Sequence, residues 1–135
     1  MESKVAEFLE ENKDKYKYDV VANADYFYLN KFPLECLTNI GENPIGTCHH
    51  WENNDMCTDG FYIGYLTSVI KIMNRINYYY MLVENYKNSE YLNYERILNE
   101  SIIYNNMSRL KIDIFFENKR KFIFKNAAPK VLNNI

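Results

Sequence analysis

Five side chains able to bind a metal or act in nucleophilic catalysis fall within 22 positions: Cys36, Cys48, His49, His50 and Cys57. Three thiols and two imidazoles are enough donors for a tetrahedral zinc site, which makes Cys36, Cys48, His50 and Cys57 the candidate ligands. Their spacing argues the other way. Eleven residues separate Cys36 from Cys48 and eight separate Cys48 from Cys57, whereas structural zinc sites draw a close pair from one tight turn. Buried free thiols are the simpler expectation, with a Cys48–Cys57 disulfide the alternative in an oxidising compartment. The same atoms offer a thiolate–imidazolium pair of the kind cysteine hydrolases use. His50 is then the better partner for Cys48, because adjacent side chains in extended chain point apart. No G-x-S-x-G, H-E-x-x-H, G-x-G-x-x-G or phosphate-loop pattern accompanies them. The expectation is a non-catalytic protein without a cofactor; a Cys/His enzyme or a zinc-stabilised domain is the alternative.

Other charged groups point to less. Glu52, Asp55 and Asp59 lack the ladder of alternating oxygens that a calcium loop needs. Lys119-Arg120-Lys121 with Lys125 would meet about three phosphates at most, and the chain carries a net charge of −2. Nucleic acid is therefore not an expected partner. Nor is membrane insertion: the longest apolar-rich stretch, 61–83, contains Lys71 and Arg75, each costly at a bilayer centre. Acidic residues near the N-terminus stand where a secretory leader needs a basic and then apolar run. A cytoplasmic setting is expected unless a leader was removed.

The aromatic surplus is the strongest remaining signal, at 16% of 135 residues with 13 Tyr. Nineteen Asn against no Gln, and 12 Lys against 4 Arg, share A/T-rich codons and suggest the genome of a virus, parasite or organelle. That bias explains some of the tyrosine. The rest fits what protein interfaces enrich, and Trp51, Tyr62, Tyr78, Tyr79 and Tyr80 are the candidate contact residues. The expected role is a protein-interaction module or small subunit of a larger assembly, with another protein as partner and oligomer formation open.

These groups need elements to position them, and the chain reads as one domain, 1–135, with 126–135 a loosely ordered tail. Residues 3–15 have helical spacing, with Ser3 as cap and Val5, Phe8 and Leu9 as the buried side. Tyr16 to Val20 alternates like a strand, residues 25–29 suit a short helix, and Pro33–Ile40 suits another. The turn-forming residues from Gly41 to Asp59 predict a long loop, pinned by a buried Trp51. Residues 60–87 predict the central helix, capped by Asp59, apolar on more than one face and kinked near Asn77. Ser89–Asn106 predicts a further helix. Alternation then begins at Leu110, Ile112 and Ile114 and resumes at Phe122 and Phe124, the pattern of a hairpin over about 108–125. The fold class expected is α+β, a helical domain around the 60–87 helix with that C-terminal hairpin; all-α is the alternative.

The run Tyr65-Leu66-Thr67-Ser68-Val69-Ile70-Lys71-Ile72-Met73-Asn74-Arg75-Ile76 resembles the central helix of poxvirus Bcl-2-like proteins. The resemblance covers about a tenth of the chain. It implies an all-helical fold and a role in regulating host apoptosis or signalling; the predicted hairpin departs from that pattern.

Overall fold

The computed structural model describes residues 1–24, 26–50, 53–84, 86–87 and 93–118, with 49, 50, 53–57, 59, 117 and 118 described by backbone alone. The chain is α+β, with a four-stranded sheet at its centre where the sequence pattern places a helix.

In chain order the elements are α1 (Glu2–Glu11), β1 (Tyr18–Ala22), β2 (Tyr26–Tyr28), α2 (Glu35–Asn39), β3 (Ile45–His50) and β4 (Asn53–Tyr65). There follow α3 (Leu66–Met73), a 3-10 turn (Asn74–Tyr78), α4 (Tyr79–Glu84), α5 (Tyr94–Tyr104), β5 (Arg109–Ile112) and β6 (Phe116–Asn118). The sheet order is β1-β4-β3-β5; β1 and β3 run antiparallel to β4, and β5 runs parallel to β3. β2 and β6 form a separate antiparallel ladder.

The first correction concerns 41–65. The expected loop is a hairpin, β3 against β4, in register from Ile45↔Gly64 to Thr47↔Tyr62 and irregular beyond, where His49 faces Cys57 and His50 faces Asn53. Residues 60–65 belong to its second strand, so the helical segment begins only at Leu66 and Asp59 is not its cap. The physical cause is that β4 is covered on both faces. Phe61 and Ile63 enter one core, Tyr62 the other, and a strand buried on both sides loses the alternation that marks strands. Gly46 fits the same crowding, since a Cβ there would strike the side chains of Ile112 and Ile63.

Three layers result. Over one face lie α1, α3 and α5, enclosing Ala6, Tyr62, Val69, Ile72, Leu98 and Ile102. Over the other lie α2 and the β2–β6 ladder, enclosing Cys48, Phe61, Ile63, Ile112 and Ile114. α1 turns inward on Ala6 and Leu9, while Val5 and Phe8 are exposed. The small Ala6 side chain lets α1 approach α3 closely, which a bulkier inward residue would prevent. No Ser3 cap forms; the N-cap is Met1, without a side-chain hydrogen bond. α5 starts where Asn93 Oδ1 accepts the Arg96 N–H at 3.0 Å, an ordinary side-chain cap.

Other expectations are corrected in place. The short helix at 25–29 is strand β2, and Tyr26 stacks on Phe116 at 4.2 Å. The first arm of the expected 108–125 hairpin is in part strand β5, which ends at Ile112; Ile112 and Ile114 are buried but Leu110, of the same parity, is exposed, and β5 pairs with β3 and β6 with β2. The returning arm at 121–125 and the tail at 126–135 lie outside the described residues. The all-α alternative and the all-helical fold implied by the poxvirus resemblance are both overturned by the four-stranded sheet.

Candidate functional site

The cysteines are the first candidates to place. Cys48 sits on β3 inside the second core, 1% exposed among Phe61, Ile63 and Ile112. Burial pushes its thiol up to about 12, so at neutral pH it is a protonated core group and a poor nucleophile. Cys36, half-buried on α2, packs against the same core, and burial, then the charge of Glu35, raises its thiol also. The side chains of His49, His50 and Cys57 lie outside the described residues, as does Trp51 entirely, so the expected burial of Trp51 does too. Backbone register sets His49 opposite Cys57. Among the described residues no group of three or more His, Cys, Asp or Glu side chains converges to hold a metal. The basic run 119–121 is likewise outside the described residues.

Tyr62 is corrected from surface candidate to core residue: its side chain is fully buried between β4 and the helical layer. Its hydroxyl donates to Glu2 Oε1 at 3.3 Å, and Arg75 Nη2 meets Glu2 Oε2 at 2.7 Å. Arg75 Nη1 also donates to the Ile72 carbonyl at 3.1 Å. Burial, then the Glu2 charge, drives the Tyr62 hydroxyl far above its ordinary value. This network anchors the first turn of α1 to the 3-10 turn.

Tyr78, Tyr79 and Tyr80 part company. Tyr78 is half-buried; it donates to the Lys71 carbonyl at 2.8 Å, accepts from Asn105 Nδ2 at 2.9 Å and stacks on Tyr104 at 4.6 Å. It braces the bend where α3 gives way to the 3-10 turn. Tyr79 is half-buried and meets Tyr80 edge-on at 6.2 Å, and Tyr80 is 84% exposed. Around them stand Ile76, Met81, Tyr94 and Tyr104, all exposed, which sequence reasoning missed. The Tyr104 hydroxyl donates to Met81 Sδ at 3.3 Å, tying α5 to α4. Ile76 and Tyr80, both exposed, lie on the 3-10 turn and on α4, where the single helix expected over 60–87 is interrupted.

Beside this surface the first turn of α1, the 3-10 turn and α5 enclose a cleft of about 240 Å³. Met73 and Ile97, both buried, form its floor, and Ile76, Tyr79 and Tyr94 its rim. The Glu2–Arg75 pair lies along one wall.

Comparison with protein-family models and with curated proteins finds no match for this chain. Among the described residues no helix is long and apolar enough to cross a membrane.

Proposed function

We propose that this protein is a non-catalytic protein-interaction module or small subunit of a larger assembly, working inside the cell of an A/T-rich organism, virus or organelle. The observation that carries the proposal is the exposed aromatic and aliphatic surface of Ile76, Tyr80, Met81, Tyr94 and Tyr104 on the helical side. Tyr and Met are among the residues that protein interfaces enrich. The Tyr104 hydroxyl on Met81 Sδ joins two of these side chains, and Tyr78 and Tyr79 contact Tyr104 and Tyr80 in turn. A preordered surface loses less side-chain entropy on binding than a loose one. The Cys/His enzyme is favoured less, because Cys48 is sealed and its thiol is held protonated.

The test is a photo-reactive amino acid placed at position 80, and at Glu10 on α1 as the control, in the native source. A defined protein adduct at position 80 that is absent at position 10 and is lost with Met81→Asp supports the proposal. Equal adducts at both positions, or adducts unaffected by Met81→Asp, reject it.

A further inference from the structure

We propose that the outer edge of β1 is a binding site for one extended segment of a partner protein, added antiparallel to residues 18–22 and carrying a lysine or arginine opposite Asp19. The hydrogen-bond pattern comes first. The Leu66 N–H donates to the Lys17 carbonyl at 3.0 Å and the Asn23 N–H to the Gly60 carbonyl at 2.8 Å. In this antiparallel ladder residues 17, 19, 21 and 23 therefore direct their backbone groups at β4. Tyr18, Val20 and Ala22 turn theirs the other way. β1 ends the sheet, and among the described residues no backbone group meets those three. A row of N–H and C=O groups at two-residue spacing is matched by another extended strand, and side chains alone do not reproduce it.

The edge is also unguarded. Sheet edges are commonly blunted by lysine or proline, and the opposite edge follows that rule, since β5 carries the exposed Arg109 and Lys111. Tyr18-Asp19-Val20-Val21-Ala22 holds neither lysine nor proline, and Val20 is 44% exposed. Asp19 then fixes the charge of the occupant. It is half-buried and has no cation within ion-pair distance among the described residues. Burial raises its carboxyl, an effect that the neighbouring Val20 N–H partly offsets. A strand that takes the Val20 N–H must hold the carboxylate elsewhere, and a lysine or arginine directly opposite does so. A second copy of this chain would not. Paired on itself about Val20, β1 sets Asp19 opposite Val21 and diagonal to the second copy's Asp19, a like charge. The occupant is therefore a different chain, with an uncharged residue opposite Val20 and a cation opposite Asp19. This edge shares no residue with the surface of Ile76, Tyr80, Met81, Tyr94 and Tyr104, so it stands apart from the reading built on that surface.

The experiment is amide NMR of the full chain titrated with the capped peptide acetyl-Thr-Thr-Val-Lys-Thr-amide, whose Val and Lys fall opposite Val20 and Asp19. Two control peptides carry Glu for Lys, or an N-methyl group on Val. Saturable shifts and slowed hydrogen exchange at the Tyr18, Val20 and Ala22 amides are expected, with a dissociation constant on the order of 1 mM. The Glu peptide is expected to bind at least about three-fold more weakly, and the N-methyl peptide to leave these amides unmoved. Val20→Pro removes only an outward N–H, which edge strands tolerate; it is expected to abolish binding with the remaining amide spectrum in place. Asp19→Asn is expected to make the Lys and Glu peptides equal. The proposal is overturned if the three amides do not respond, if the N-methyl peptide binds as well, or if the parent does not discriminate Lys from Glu. It is also overturned if the same amides become protected as the chain alone is concentrated, since a second copy is then the occupant. If Val20→Pro fails to fold, the N-methyl peptide on the parent chain decides.

Discussion

Removing the Tyr62 side chain should separate a core residue from a surface one by a wide margin. The side chain is fully buried within the core shared by α1, α3 and α5, so Tyr62→Ala deletes a large aromatic group from a packed interior. Losses for such truncations run about 3–5 kcal/mol, since the transfer energy and the residual cavity both count. Tyr62→Phe leaves the ring and removes one hydrogen bond to Glu2. That bond is long at 3.3 Å and its acceptor side chain is 40% exposed, so the cost falls near the low end of about 0.5–1.5 kcal/mol. The two variants should therefore differ by about 2–4 kcal/mol. Urea unfolding followed by far-UV circular dichroism measures both, with the slope m checked so that a change in midpoint reports stability. Tyr62→Ala within about 0.5 kcal/mol of the parent, the range of surface substitutions, would refute the burial of Tyr62 in this core. A Tyr62→Phe loss equal to that of Tyr62→Ala would refute the assignment of the stability to packing.

Two further outcomes follow from the cysteines. Cys48 holds its proton in the folded state up to about 12, above the ordinary thiol value of about 8.5; between those limits the folded chain binds more protons than the unfolded one, so stability falls as pH rises, by at most about 1.4 kcal/mol per pH unit. Cys48→Val should remove that share of the alkaline decline, and a parent and variant with identical pH profiles above 9 would contradict it. Purified, unchelated protein is expected to carry no stoichiometric zinc; a one-to-one zinc content by elemental analysis would instead make Cys36, Cys48, His50 and Cys57 ligands and require Cys48 to leave its core.

Helix and strand assignments were legible where one face alone is buried. Ile97, Leu98 and Ile102 on α5 recur at helical spacing because solvent occupies the opposite side; on α1 the same spacing picks Val5, Phe8 and Leu9, of which only Leu9 is buried, with Ala6 beside it. The signal failed at 60–65. Phe61, Tyr62 and Ile63 are all buried, and a run buried on two faces reads the same for a strand as for a helix. Gly60 and Gly64, poor helix residues, were the local clue. The candidate surface was only half visible: the tyrosine run named Tyr79 and Tyr80, but Ile76, Met81, Tyr94 and Tyr104 were hidden because exposure depends on what packs where.

The chain's α+β character follows from residue order alone, since period and propensity act over a few neighbouring positions, whereas the inward faces of α1 and β1 do not: Val5, Phe8 and Val20 are exposed. Which strands pair does not follow either. β5 lies parallel to β3, more than 60 residues away, and that choice follows from the fit of Ile112 against Gly46 and Ile63. The same long-range packing sends Tyr62 inward and turns Ile76 and Tyr80 out, because a residue's burial is set by the element that covers it and no local spacing specifies that partner.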